Sequence, residues 1–452
     1  MRRIESVDVE GLFGHVKHEV RFRADEPTII LAPNGAGKTH MLRLTAAALA
    51  LDARVLLSTV YKTFSIKFVD GRVLQLERTL NSKNDLEVHI RARPSQSRSK
   101  FVISGDDVET LEGLPGDLRK VAPNHWADDR TGRRYSSVEV DRMRRTRSGS
   151  WMERLEAFPE IRELCGRPLP VFIDTWRLDS RAEDSGMLGE WRRAPARTGS
   201  AAASRIRTYT DSLRDEIAEA RRASIRVTQS RDTGFAARAL AAASLTIREA
   251  SLHERYDRTV ERYEALARNG LAVGEAPIPF PTSTTPTVRR ILHVFLDDWD
   301  RRLEPLIPVN EKLQILREIL DSKLAPSGKR TNVSASGELE FLSSNDRKLP
   351  VARLSSGEQH LVALFTLLLF AAKPGSLVLI DEPEISLHAA WKHAFLVDIS
   401  RVASVNDLQV VLATHSAGIV NGRWDLTEEL ELPIDIGEEV DVHDDGEDDL
   451  DD

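Results

Sequence analysis

Residues 30–40, "ILAPNGAGKTH", decide how the rest of the chain is read. A short apolar run, "PTIIL" (27–31), leads into them, and "MLRLTAAALAL" (41–51), of helix-forming composition, follows. Buried strand, glycine turn and helix in that order make a phosphate-binding loop, with the pattern G-x-x-x-x-G-K-[ST]. Here it runs Ala32-Pro33-Asn34-Gly35-Ala36-Gly37-Lys38-Thr39, with alanine at the first glycine position. Backbone N–H groups of such a loop, and the helix N-terminus behind it, cradle anionic oxygens. Asn34, Gly35, Ala36, Gly37, Lys38 and Thr39 are therefore the candidate residues for binding a nucleoside triphosphate. Lys38 is expected to reach the β- and γ-phosphates and the Thr39 hydroxyl to ligate Mg²⁺. Ala32 costs little where its φ is negative, although it leaves the loop entrance less free than glycine does.

A second stretch completes the chemistry. In "SLVLIDEPE" (376–384) four apolar residues carry Asp381 and Glu382 to the end of a buried strand. Parallel α/β sheets place their ligands at that end. Asp381 is the expected Mg²⁺ holder, mostly through water, and Glu382 the general base that polarises an attacking water.

Composition narrows the setting. The 452 residues suit one large composite domain or a few smaller ones. A single cysteine, Cys165, excludes an intrachain disulfide and points to a reducing compartment. The N-terminus lacks the apolar run of a signal peptide. The longest apolar stretch, Leu361 to Ala372, spans 12 residues, too short to cross a bilayer. A cytoplasmic protein with no membrane partner is the expectation. Net charge is −8, yet 15 acids lie between Asp425 and Asp452 with no Lys or Arg, and without them the rest of the chain carries +7.

The expected fold class is α/β, a mixed sheet with flanking helices, interrupted by a large, mainly helical insertion. Residues 1–80 form the first part of the head, with strands at 3–12 and 18–23 and a hairpin turning at Asp70-Gly71. Residues 81–324 form the insertion. Within it 205–268 is helical in composition, with Ile206, Tyr209, Leu213, Ile217 and Ala220 on one face and Gly234 as the expected break between two helices. The four-proline stretch 269–287 reads as a linker, and 288–324 as further helix. Residues 325–436 complete the head, and 437–452 read as a disordered acidic tail. The Arg-rich loops at 91–100 and 142–147 could touch nucleic-acid phosphates, but residues 91–150 carry 13 basic and 9 acidic side chains, which favours a solvated loop. The stripe Arg255, Arg258 and Arg262 runs beside Glu254, Asp257 and Glu261, as on an ordinary charged helix.

With these motifs in place the chain resembles the ABC-type ATPases. "LSSGEQ" (354–359) is similar to their signature motif, and "ATHS" (413–416) to their switch-histidine region. That resemblance implies ATP and Mg²⁺ as cofactors and a head-to-head dimer, or higher assembly, that sandwiches ATP. It also implies that Ser356, Gly357 and Glu358 contact the γ-phosphate held by the opposite subunit, and that His415 senses the γ-phosphate of its own site. Lys38, Glu382 and His415 are thus the candidate catalytic residues, and Thr39 and Asp381 the metal ligands.

Lys38 and Leu354 are separated by 315 residues, more than in transporter ATPases and fewer than in SMC- or Rad50-like proteins. The intermediate insertion resembles the overcoming-lysogenization-defect (OLD) family and related AAA-type ATPases. "IDEPEISLH" (380–388) and "THS…NGRWDL" resemble the ATPase components of Septu- and PARIS-type anti-phage systems. His388 stands where transporter ATPases carry an aspartate, which is usual in this group. No nuclease pattern follows Trp424, so the resemblance implies that a separate effector, such as a nuclease, delivers the output. A DNA-repair or DNA-maintenance clamp of RecF or Rad50 type is the alternative.

Overall fold

The computed structural model describes residues 3–82, 85–94, 100–105, 118–122, 125–128, 134–136, 154–166, 168–174, 201–272, 274–385 and 387–430. The loop at 142–147 and the tail expected at 437–452 lie outside the described residues.

Strands β1 (Ile4–Leu12) and β2 (Val16–Arg21) form a hairpin. They precede β3 (Thr28–Leu31), the helices α1 (Lys38–Ala50) and α2 (Ala53–Ser58), and strands β4 (Thr63–Phe68) and β5 (Val73–Leu80). The β4–β5 hairpin turns at Asp70-Gly71, as expected, where Gly71 takes a φ of 82°. Strands β6 (Leu86–Arg93) and β7 (Phe101–Ser104) extend this antiparallel sheet in the order β2-β1-β4-β5-β6-β7. The boundary expected at residue 80 therefore falls inside a sheet, because β5 and β6 pair over their whole length from Val73↔Arg93 to Leu80↔Leu86. A small sheet of β8 (Leu118–Ala122), β9 (His125–Asp128) and β10 (Arg134–Ser136) follows, then α3 (Pro159–Leu164) and β11 (Val171–Ile173).

The helical part of the insertion comprises α4 (Ala201–Ala241), α5 (Glu249–Arg268), α6 (Pro286–Leu303) and α7 (Ile307–Leu324). Helix α4 runs unbroken through Gly234, against the expected division. One glycine costs a long helix only about 1 kcal/mol. The missing Cβ also leaves room for Arg238, whose Nη1 lies 2.6 Å from where that atom would sit. Arg238 then donates to Arg231 O and to Asp298. Two arginines of the stripe on α5 are likewise paired: Arg255 meets Asp297 and Asp300, and Arg262 meets Asp300, all on α6, whereas Arg258 donates to Glu254 O of its own helix.

Strands β12 (Lys329–Val333), β13 (Leu339–Ser343) and β14 (Lys348–Leu349) make a three-stranded antiparallel sheet. After it come α8 (Ser356–Thr366), β15 (Leu377–Asp381), α9 (Ala389–Val405), β16 (Gln409–Thr414), α10 (Ala417–Val420) and β17 (Thr427–Glu429). The central sheet, ordered β11-β15-β16-β3-β17, is parallel at every pairing. Parallel and antiparallel pairing are thus divided between separate sheets.

Alternation along the central strands explains the layering. Val378 and Ile380 of β15, with Val410 and Leu412 of β16, face a core shared with α4 and α7–α9. Leu377 and Leu379, with Val411 and Ala413, face the opposite core, shared with α1 and the antiparallel sheet. Both faces are covered, which is why these strands read as continuous apolar runs. The Gln409 side chain ties the layers together: its amide pairs with both the N–H and the carbonyl of Ile4, at 2.9 and 2.8 Å. On the helical side α8 packs against α4, whose face of Ile206, Leu213, Ile217 and Ala220 is buried as its spacing predicts.

Candidate nucleotide site

The loop 32–39 joins β3 to α1 at the C-terminal edge of the parallel sheet. Gly37 caps α1 with a φ of 87°, and Gly35 has the same value. Gly37 is required twice over, since a Cβ there would stand 2.7 Å from Leu12 Cδ2 and 3.3 Å from Phe13 Cε2. Ala32 is not among the residues of positive φ, so the missing glycine removes nothing the loop needs. The antiparallel sheet braces the turn from outside: buried His18 has Nε2 2.8 Å from Ala36 O. Lys38 is buried and folds back on its own loop, donating to Ala32 O at 2.7 Å and Pro33 O at 3.1 Å. Those bonds hold the ammonium over the concave side of the turn.

Strands β15 and β16 bring the other groups to the same edge. Thr39 Oγ1 donates to Asp381 Oδ2 at 2.6 Å, across 342 residues of sequence. Asp381 is 4% exposed, and its Oδ1 is buried without a hydrogen-bond partner. Burial pushes this carboxyl up to about 6. The Thr39 hydrogen bond and the charge of Lys38 oppose the rise, whereas the charges of Asp174 and Glu382 add to it. An orphaned hard oxygen beside a threonine hydroxyl fits a small divalent cation such as Mg²⁺, which would be held by Asp381 and Thr39.

Glu382 has a φ of 45°, in the left-handed region, pinned by its N–H to Ala413 O at 2.8 Å. Holding a non-glycine residue there costs of order 1–3 kcal/mol, and such strain gathers at functional sites. It turns the Glu382 carboxylate towards β16, where Oε1 lies 3.8 Å from His415 Nδ1. Lys38, Thr39, Asp381, Glu382 and His415 are thus gathered at one end of three neighbouring strands.

The signature residues stand apart. Ser356 is exposed and Gly357 half-buried at the N-terminus of α8, and no hydrogen bond or ion pair among the described residues joins them to this cluster. Glu358, expected at a γ-phosphate, points inward instead. Its carboxylate accepts from Ser355 N–H (2.7 Å), Lys329 Nζ (2.7 Å) and Ser327 Oγ (2.9 Å), closing a capping box with Ser355. Burial raises this carboxyl, but the bonds from Lys329, Ser355 and Ser327 outweigh it and hold the group below its ordinary value.

Two acids escaped the sequence reading. Asp174 follows β11 one step beyond the Ile173↔Ile380 pair, so it stands beside Asp381, and its Oδ2 takes a 2.7 Å ion pair from Arg43 of α1. The signal lay in "VFID", which repeats the pattern of "VLID". Glu384, in the turn Pro383–Ile385, is buried against His415.

A parallel sheet with a lysine loop, a threonine–aspartate pair and a strained glutamate at one edge defines a P-loop ATPase head with a large helical insertion. The family described as "AAA domain, putative AbiEii toxin, Type IV TA system" matches residues 33–421, and the chain belongs to it. No curated protein matches. Among solved structures the chain is similar to an Smc head domain with an extended coiled coil, bound to the C-terminal domain of ScpA, from Pyrococcus furiosus. That match has 13% identity, covers 93% of this chain and 91% of the other, and has a TM-score of 0.36. It is also similar to the SMC head domain from Thermotoga maritima, at 10% identity, 94% and 92% coverage and a TM-score of 0.33. At such scores these likenesses carry no weight for function. Among the described residues no helix is long and apolar enough to cross a membrane.

Proposed function

We propose that this chain is an ATP-hydrolysing switch that dimerises through sandwiched ATP and controls a separate effector, in anti-phage defence. The observation that carries the chemistry is the convergence of Lys38, Thr39, Asp381, Glu382 and His415 on one sheet edge. The loop amides and Lys38 bind and orient the triphosphate. Thr39 and Asp381 would hold Mg²⁺, which when bound would offset the charge of the triphosphate. Glu382 takes the proton of the attacking water, its carboxylate aimed by the strained backbone. His415 reads the γ-phosphate from the neighbouring strand.

The rest of the reading follows from the exposed signature residues. Ser356 and Gly357 stand free of their own chain's cluster, so a second head is what gives them a nucleotide to touch. Glu358 serves them from behind by fixing the helix start. Helix α8 lies on α4, so closure of two heads would reach the insertion, the surface left for an effector. The defence role rests on the resemblance of the "IDEPEISLH" region.

Lys38→Ala should weaken ATP binding about 10- to 100-fold, the loss of a charge-assisted contact. Glu382→Gln should bind ATP normally but lose hydrolysis. Native turnover in Glu382→Gln would show that the base has been misassigned. Co-purification with the product of the neighbouring gene tests the effector; a chain that captures nothing from it contradicts that part.

A further inference from the structure

Glu384 is a buried carboxylate to which the proposed mechanism gives no role. It is 5% exposed, and burying a charge is costly unless donors surround it. Three groups converge on its Oε1. Thr414 Oγ1 donates at 2.6 Å, His415 N–H donates at 3.0 Å, and the ring Nδ1 of His415 lies 3.2 Å away. Thr414 Oγ1 in turn accepts from Ser416 N–H at 3.0 Å, so this one oxygen ties together residues 414, 415 and 416. Glu384 Oε2 is buried with no hydrogen-bond partner. An arrangement that leaves one carboxylate oxygen unpaired is a poor way to stabilise a fold. It is a good way to aim a histidine, because a carboxylate at one ring nitrogen sets the orientation of the other.

We infer that Glu384 is a positioning residue for His415. It grips the backbone and the Nδ1 edge of the ring together, so that Nε2 is the nitrogen presented to the γ-phosphate. The site's ability to tell ATP from ADP then depends on Glu384 as much as on His415. This rests on the reading of His415 as the γ-phosphate sensor, whose ring is half-exposed.

The test is a mutant cycle on the full chain, read as the ratio of ATP to ADP affinity by competition against a fluorescent nucleotide. The variants are Glu384→Ala, Glu384→Gln, His415→Ala and the Glu384/His415 doubles. Glu384→Ala and His415→Ala should each lower the preference for ATP about 10-fold, with ADP affinity unchanged. The double variant should lose no more than either single, because both act through one ring. Glu384→Gln keeps shape and an acceptor oxygen and should lose about 3-fold; if the alanine variant does not fold, the glutamine variant carries the cycle. A wild-type ratio in both Glu384 variants, or losses that add in the double, would overturn the inference. Turnover is not needed for this readout. A wild type that prefers ATP without hydrolysing it would therefore end the switch reading and still decide the role of Glu384.

Discussion

Asp381 and Glu358 are both buried carboxylates at strand or helix ends, and the structure treats them oppositely. Glu358 is surrounded by donors that hold it ionised, whereas Asp381 has one donor, two acidic neighbours and an orphaned oxygen. Asp381 therefore costs the nucleotide-free fold stability. Its folded pKa, about 6, lies above the ordinary 3.8, so the penalty is absent below pH 4, grows as pH rises to 6 and is constant above. Asp381→Asn should stabilise the nucleotide-free protein by about 1–2 kcal/mol at pH 8 and by almost nothing at pH 4. Chemical denaturation at the two pH values checks this; an equal gain at both would refute the account of burial. At this scale the sequence disclosed the types and positions of the acids but not their environments. "SSGE" is at once a signature and a capping box, and only the donors Lys329 and Ser327, about 30 residues upstream, show where the Glu358 side chain goes.

Two elements carry the site. The phosphate loop depends on backbone shape, and its residues respond accordingly. Ala32→Gly should leave nucleotide affinity unchanged, since Ala32 needs no positive φ. Gly37→Ala forces a Cβ onto Leu12 at a φ of 87° and should lose binding, with a stability cost of about 1–3 kcal/mol. A fluorescent-nucleotide titration beside a thermal melt separates the two effects. The signature helix depends on charge. Lys329→Met strips the ammonium from buried Glu358 and should cost about 3 kcal/mol. Because Glu358 is held below its ordinary value, the stability it contributes is present above pH 4.5 and is lost as pH falls below it. The gap between wild type and Lys329→Met should therefore narrow at pH 3.

Local signals made these elements legible: short apolar runs for β3 and β15, and glycines at the loop. The long helix was less so. Gly234 looks like punctuation in sequence, and its role as space for Arg238 needs the facing Asp298 to be seen. Strands β6 and β7 were hidden for other reasons: β6 lacks clean alternation along its length, and β7 is only four residues long.

For the whole molecule, charge and length set the expectations. Arg255 and Arg262 of α5 are matched by aspartates of α6, so those two charges are already engaged and add little to any pull on a nucleic acid. A clamp that grips DNA has no specific support from it. The insertion instead presents helices that pack directly on α8, and a partner that binds there would feel any movement of the signature helix. Topology of this kind is beyond local pattern. The sequence showed that 315 residues separate loop from signature, but not that α4 would return to bury its apolar face on the head.

Everything in this reading turns on two heads meeting across nucleotide. The most direct measurement is the mass in solution of Glu382→Gln, by light scattering, with ATP and Mg²⁺ and again without nucleotide. The account predicts a complex of at least two chains with ATP that falls back towards a smaller species without it, and loss of that complex on adding Ser356→Arg. An ATP-bound Glu382→Gln protein whose mass does not change with nucleotide would contradict it.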